Sequence, residues 1–189
     1  VGVHEVAPQS LAVSSELAGP TAPYLIAEVR PQVTGIILER PFREGGDVEA
    51  GQVLYQIDPA TYQAAYDSAR AALARAEANV TSIRFRAERY KELVEIKAVS
   101  RQEYDDAVAA LKQAEAEIEA GNAAVEAARI NLAYTRVTAP ITGRIGKSSV
   151  TEGALVTANQ PVPLATIQQI DPVYVDVTQS SASLLRLQE

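Results

Sequence analysis

The chain of 189 residues has no cysteine, methionine or tryptophan, one histidine and two phenylalanines. Without cysteine there is no disulfide, no thiolate metal site and no thiol nucleophile, and the absence says nothing of redox compartment. The single histidine, His4, has no carboxylate or cysteine neighbours at metal spacing and reads as a solvated side chain. Positive charge is scarce: the formal net charge is −7, which argues against a general nucleic-acid binder, since that function needs a concentrated basic face. No run of about 18 apolar residues exists to cross a bilayer as a helix. The first residue is Val1, so the chain is expected to be processed or cut from a longer one, with any signal peptide lying upstream. The last residues, SSASLLRLQE, stop in a helix-like pattern with no closing signal, and truncation is expected there too.

An internal repeat is present. Gly35 to Glu44-Gly45 is matched by Gly143 to Glu152-Gly153 at the same spacing, and Gln52 is matched by Gln160. Both copies end in Ile-Asp-Pro, at Ile57-Asp58-Pro59 and, after a small insertion, at Ile170-Asp171-Pro172. Within them, β-rich pieces such as VTGIIL and GQVLYQI are separated by Gly-rich turns. Gly45 and Gly46 suit positions needing positive φ or close strand approach. Each copy resembles one half of a lipoyl- or biotin-carrier domain.

Between the copies lies helix-forming sequence. Asp58 is placed to cap a helix and Pro59 to occupy its first position. From there Tyr62, Tyr66, Ala69, Leu73, Ala76, Val80, Ile83, Ala87, Tyr90 and Val94 recur at alternating steps of four and three, a heptad seam. A break is expected near Glu95 to Val99, after which Ser100-Arg101-Gln102-Glu103 is a capping box opening a second helix. Its seam is Tyr104, Ala107, Leu111, Ala114, Ile118, Gly121, Val125, Ala128 and Leu132, and Pro140 forbids its continuation. With so short a connector the helices must lie antiparallel, as a rod roughly 50 Å long. The first helix is close to neutral and the second clearly acidic.

Catalysis finds no support. Asp105-Asp106 and Glu115, Glu117 and Glu119 fall on a coiled-coil helix, where charge covers solvated faces, and a thin hairpin offers no pocket to shift a pKa. No phosphate-cradling loop, nucleophile elbow or metal motif is present. A swinging-arm carrier needs its lysine on the turn joining the two halves, yet Lys91, Lys97 and Lys112 belong to the rod and Lys147 to the second half. No enzyme and no cofactor is expected. At the rod's tip, Tyr90 and Val94 belong to the seam, Leu93 flanks it and Arg89 faces away, a docking surface or merely a widened apolar stripe.

The strings AEVRPQVTGIIL, EGGDVEAGQVLYQIDPATYQAAYDSA, ARINLAYTRVTAPITGRIGKSSVTEGALV and QQIDPVYVDVTQS resemble periplasmic adaptors, or membrane fusion proteins, of resistance-nodulation-division efflux pumps of the AcrA/MexA type. The resemblance implies an α+β fold, in which an antiparallel coiled-coil α-hairpin interrupts a split lipoyl-like (barrel-sandwich hybrid) β domain, with partial β-barrel segments at both ends. It places partial membrane-proximal and barrel strands in 1–23, with 1–10 as one strand of the membrane-proximal domain. The lipoyl-like halves fall in 24–58 and 136–171, the hairpin in 59–135 and the start of a truncated barrel in 172–189. Gly35, Gly45, Gly46, Gly51, Gly143 and Gly153 become the turn glycines of the lipoyl fold. Arg89, Leu93 and Ser100 become the residues that dock on an outer-membrane channel.

The implied partners are an inner-membrane RND transporter, that channel, and other copies of the chain in a trimeric or hexameric ring. The unequal charge of the two helices either pairs neighbouring hairpins or simply keeps each one solvated. Attachment to the inner membrane would run through an upstream lipid anchor. No methionine or cysteine is available for soft metals, so organic compounds are the expected cargo. Within the family, an adaptor of an ABC-type exporter is the alternative, and one-step protein secretion adaptors usually have longer hairpins. Outside it stand a lipoyl or biotinyl carrier subunit and a purely structural coiled coil.

Overall fold

In the computed structural model, residues 18–178 are described. His4, the strand expected in 1–10 and the helix-like SSASLLRLQE lie outside them. Four strands precede the helices: β1 (Thr21–Val29), β2 (Gly35–Glu39), β3 (Asp47–Val48) and β4 (Val53–Ile57). Helices α1 (Ala60–Glu95) and α2 (Arg101–Ala133) follow, then β5 (Arg136–Thr138), β6 (Gly143–Ile145), β7 (Leu155–Val156) and β8 (Ala165–Val175). The strands form two four-stranded sheets of order β1-β8-β6-β3 and β5-β4-β2-β7. Exchanging the first four strands with the last four turns one order into the other, so the sequence repeat is a pseudo-two-fold of the fold. The helical hairpin interrupts this sandwich between its halves.

The symmetry extends to single hydrogen bonds. The Glu49 amide donates to the Gln52 side-chain oxygen at 3.0 Å, and the Thr157 amide to that of Gln160 at 3.1 Å. The Ala50 amide donates to the Thr142 hydroxyl and the Ala158 amide to the Thr34 hydroxyl, both at 3.0 Å. Gly45 and Gly153 have φ of +73° and +82°, and the left-handed Gly51 (+85°) is answered by Asn159 (+55°). Asn is among the few L-residues that visit this region readily.

One matched feature of the sequence is out of place. Ile57 is fully buried and pairs with Ile37, whereas Ile145, the counterpart of Ile37, pairs with Ile167, also fully buried. Ile170 is 46 % exposed. The counterpart of Ile57 is therefore Ile167, and the second Ile-Asp-Pro does not occupy the position of the first. It lies where β8 leaves the sandwich as a ribbon paired with β1, from Pro23 opposite Val173 to Thr21 opposite Val175. The boundaries expected after residues 23 and 171 thus fall inside these two strands. Tyr24 and Tyr174 stack across the ribbon at 5.4 Å, and both remain exposed.

The core between the sheets is built from Val29, Ile37, Leu54, Ile57, Val137, Ile145, Val156, Leu164, Ile167 and their neighbours. Tyr55 is buried next to Leu54, breaking the alternation of β4, and the pairing with β5 shifts register between Val53 and Tyr55. Its hydroxyl donates to the Leu164 carbonyl at 3.0 Å and shares a 2.7 Å hydrogen bond with Ser148. Burial pushes the phenol pKa above its ordinary value, and the Ser148 hydrogen bond opposes the shift. The folded state therefore holds this proton more tightly than the unfolded one. That contribution is complete below about pH 10 and is lost as pH rises through the folded pKa. Tyr55→Phe is expected to lower unfolding free energy by about 1–2 kcal/mol at pH 7 and to blunt the loss of stability between neutral and strongly alkaline pH. Urea unfolding of both forms at the two pH values checks this.

The hairpin follows the heptads. Every residue of both expected seams is buried or half-buried in α1 and α2, and apart from Leu93 and Val108 all other helical residues are exposed. At Gly121 an added Cβ would stand 3.0 Å from Leu73 Cδ1, so glycine lets the helices approach there. Two helix ends differ from expectation. Pro59 flanks the first helical residue, Ala60, whose amide is taken by the Asp58 carboxylate at 3.0 Å. Pro140 does not stop α2, which ends at Ala133, before β5. Buried Thr135 closes it, donating both its amide and its hydroxyl to the Leu132 carbonyl. At the base of the rod, Tyr62 packs on the sandwich core and donates to the Thr34 carbonyl at 2.7 Å, fixing α1 to the β2 side.

Candidate functional site at the hairpin tip

The tip is made by the end of α1, a connector and the start of α2. The Lys97 amide donates to the Val94 carbonyl at 3.1 Å and the Ala98 amide to the Leu93 carbonyl at 2.8 Å. Together with Lys97 at φ +56°, this is a Schellman closure, in which the left-handed position ordinarily taken by glycine is held by lysine. A non-glycine residue there costs roughly 1 kcal/mol, and it places a cation beside the carbonyl end of α1.

Ser100 opens α2. Its hydroxyl accepts the Glu103 amide at 3.2 Å and donates to the Glu103 carboxylate at 2.8 Å, and its own amide donates to that carboxylate at 2.8 Å. These donors hold the Glu103 carboxyl below its ordinary pKa, the backbone N–H first and the hydroxyl second. Ser100 is thus engaged in its own helix cap, and at the tip it fixes where α2 begins.

Arg89 and Leu93 are four residues apart on one face of α1. Arg89 is exposed, with no ion-pair partner among the described residues, and Leu93 is half-buried at the rim of the seam. Ile96, a heptad beyond Arg89, is 73 % exposed at the very end of the rod. The sequence does not single it out, because it falls within the break between seams. The signal available was its seven-residue spacing from Arg89. Phe85, four residues before Arg89 and 60 % exposed, was likewise overlooked.

The six glycines sit far from the tip, in the sandwich. Gly45, Gly51 and Gly153 have positive φ and open space around a Cβ. At Gly35 a Cβ would meet Ile57 Cγ2 at 2.6 Å, at Gly46 the Arg43 carbonyl at 3.0 Å, and at Gly143 the Gln168 carbonyl at 2.5 Å. Among the described residues, no cluster of acidic or histidine side chains is arranged to hold a metal ion, and no helix is long and apolar enough to cross a membrane. Lys91 lies on α1, Lys97 at the tip, Lys112 on α2 and Lys147 after β6.

The family described as RND MFP, barrel-sandwich hybrid domain, matches residues 25–168. Over the whole chain the sequence is 60 % identical to the multidrug export protein AcrE and 59 % identical to the multidrug efflux pump subunit AcrA, both of Escherichia coli strain K12, covering 49 % and 48 % of them. The chain spans about half the length of the curated relatives it matches. Among solved structures it is similar to a MacA-MexA chimera that contains the Pseudomonas aeruginosa MexA α-hairpin. The identity is 36 % and the TM-score 0.55, over 90 % of this chain and 59 % of the chimera.

Proposed function

The chain belongs to the membrane fusion proteins of resistance-nodulation-division pumps, and on that premise we propose that the whole protein is a non-catalytic periplasmic adaptor in a multidrug efflux pump. It joins an inner-membrane, proton-driven RND transporter to an outer-membrane channel, and the energy comes from the transporter. Residues 24–58 and 136–171 act as the lipoyl-like mount, shaped by Gly35, Gly45, Gly46, Gly51, Gly143 and Gly153. Residues 59–135 are the docking rod, and 1–23 and 172–189 feed strands to further β domains. Copies associate through mount and rod into a trimeric or hexameric ring, held at the inner membrane by an upstream lipid anchor, and the cargo is organic.

The observation that carries this reading is the tip. A rod roughly 50 Å long ends in exposed Ile96 and Arg89 beside Leu93, with its last turn and its restart both closed by specific hydrogen bonds. A purely structural rod would need none of those side chains at its end. Against a carrier subunit stand the lysines, none of which lies on a turn joining the halves of the sandwich.

The chain has no cysteine, so one can be introduced at a single known place. With Ile96→Cys in the full-length protein, a short bifunctional reagent is expected to trap, in cells, an adduct containing an outer-membrane channel. Adducts with other proteins only, or no adduct, would overturn the docking claim. Intact mass is expected to show no added lipoyl or biotinyl group; finding either would favour the carrier.

A further inference from the structure

Between Ile96 and Arg101, at the end of the rod, three residues break local rules, and each breaks a different one. Ile96 is 73 % exposed, more than any other large apolar side chain among the described residues. Lys97 has φ +56°, a position that glycine would fill without the steric cost a Cβ brings. Arg101 is the first residue of α2, where the positive end of the helix favours an acid. The rest of the restart obeys its rules, since Ser100 caps α2 and Glu103 supplies the acid of its first turn. The carbonyl end of α1 attracts the Lys97 charge, but that accounts for neither Arg101 nor Ile96. Rules broken together, with no gain inside the fold, point to a contact made outside it.

Charge is distributed to match. Residues 89–101 carry four basic side chains, Arg89, Lys91, Lys97 and Arg101, against Glu92 and Glu95, a net +2. The remaining residues carry 13 basic and 22 acidic side chains, a net −9. The four tip cations are all exposed, and none has an ion-pair partner among the described residues. The turns of the tip are closed instead by backbone bonds and by Ser100 with Glu103. Ile96 stands directly before Lys97 and one heptad beyond Arg89, and the connector returns to Arg101 three residues after Ala98. One large apolar side chain is thus surrounded by free cations.

Resting on the docking reading above, we infer that the outer-membrane channel receives this tip in an apolar cup rimmed by carboxylates. Ile96 fills the cup, and Lys97 and Arg101, with Arg89 beside them, pair with the rim. Glycine at position 97 would close α1 equally well and bring no charge to that rim. The same charges orient the encounter. The end of the rod is attracted, while the flank formed by α2, with three basic and seven acidic residues, is repelled.

A carbodiimide joins an amine to a carboxylate in contact with it and leaves no spacer, so it tests the pairing in cell envelopes holding the full-length protein and its pump. It is expected to trap an adduct with the channel in which Lys97 is joined to an aspartate or glutamate. The adduct is expected to fall to background in Lys97→Arg, which keeps the charge and removes the amine, and to persist in Lys91→Arg. The reverse would overturn the inference. Two substitutions that restore the local rules supply a second arm. Lys97→Gly relieves the left-handed side chain, and Arg101→Glu puts an acid at the start of α2, so neither is expected to lower the temperature at which the helices melt. Both are expected to cut drug resistance toward that of cells lacking the protein, and wild-type resistance in both would overturn the inference. If the carbodiimide gives no channel adduct while Ile96→Cys still captures the channel, the acidic rim is wrong and docking stands. If neither captures it, both fall.

Discussion

Leu93→Ser in the full-length protein is expected to reduce drug resistance to the level of cells lacking the protein, with its abundance and folding unchanged. The hairpin does not depend on this side chain. Tyr90 and Val94 fill the seam, and what Leu93 supplies to the closure of α1 is its carbonyl, which serine also provides. Because Leu93 is only half-buried, the change costs about 1 kcal/mol of stability. At a docked tip the same side chain would be covered from both sides. Losing such an apolar anchor costs about 2–3 kcal/mol per contact, roughly 30- to 150-fold in affinity, and the proposed ring would repeat the loss in every copy. Arg89→Asp is expected to act alike by reversing an exposed charge that has no ion-pair partner among the described residues. Drug susceptibility, immunoblotting and the Tm of each variant separate the two effects. Resistance at wild-type level in both variants would remove the docking claim.

How far the fold could be read from the sequence depended on how local its cause is. Both seams were legible residue by residue, because the heptad depends only on spacing along one helix. The capping box at Ser100 was legible for the same reason, since its donors and acceptors lie within four residues. The match of Gln52 with Gln160 was legible as a coincidence of spacing, and the structure supplies its reason, the same side-chain acceptor closing the same turn. The two Ile-Asp-Pro strings misled because identity of letters is not identity of place. Ile167 rather than Ile170 sits in the core, and only the pairing with Ile145 decides that. Asn159 and Lys97 were illegible for a different reason. Both adopt a conformation that glycine usually signals, and neither is glycine. At the tip, Arg89, Leu93 and Ser100 were singled out, whereas Ile96 was hidden by a break in the heptad that the Schellman closure requires.

Gly143→Val should be more damaging than substitution at Gly35 or Gly153, and the comparison with its symmetry mate explains why. Gly143 opens β6, between β3 and β8, and its missing Cβ would stand 2.5 Å from the Gln168 carbonyl oxygen and 3.1 Å from the Gln169 nitrogen. Both atoms are backbone of β8, held by the pairing of Arg144 with Gln168, so neither can yield without parting the sheet. At the equivalent Gly35 the obstruction is the Ile57 Cγ2 at 2.6 Å, a side-chain atom that can move at the expense of core packing. Gly153 has open space and only its φ of +82° to defend, a cost of roughly 1–2 kcal/mol for alanine. The expected order of destabilisation is therefore Gly143→Val, at about 3 kcal/mol or more, then Gly35→Ala, then Gly153→Ala. Urea unfolding of each variant checks it, and a Gly143→Val protein as stable as Gly153→Ala would refute it. Because α1 and α2 are mounted on this sandwich, Gly143→Val should also abolish resistance by lowering the amount of folded protein. That loss is distinguishable from the one at Leu93, where the rod stands at full abundance and only its end has changed.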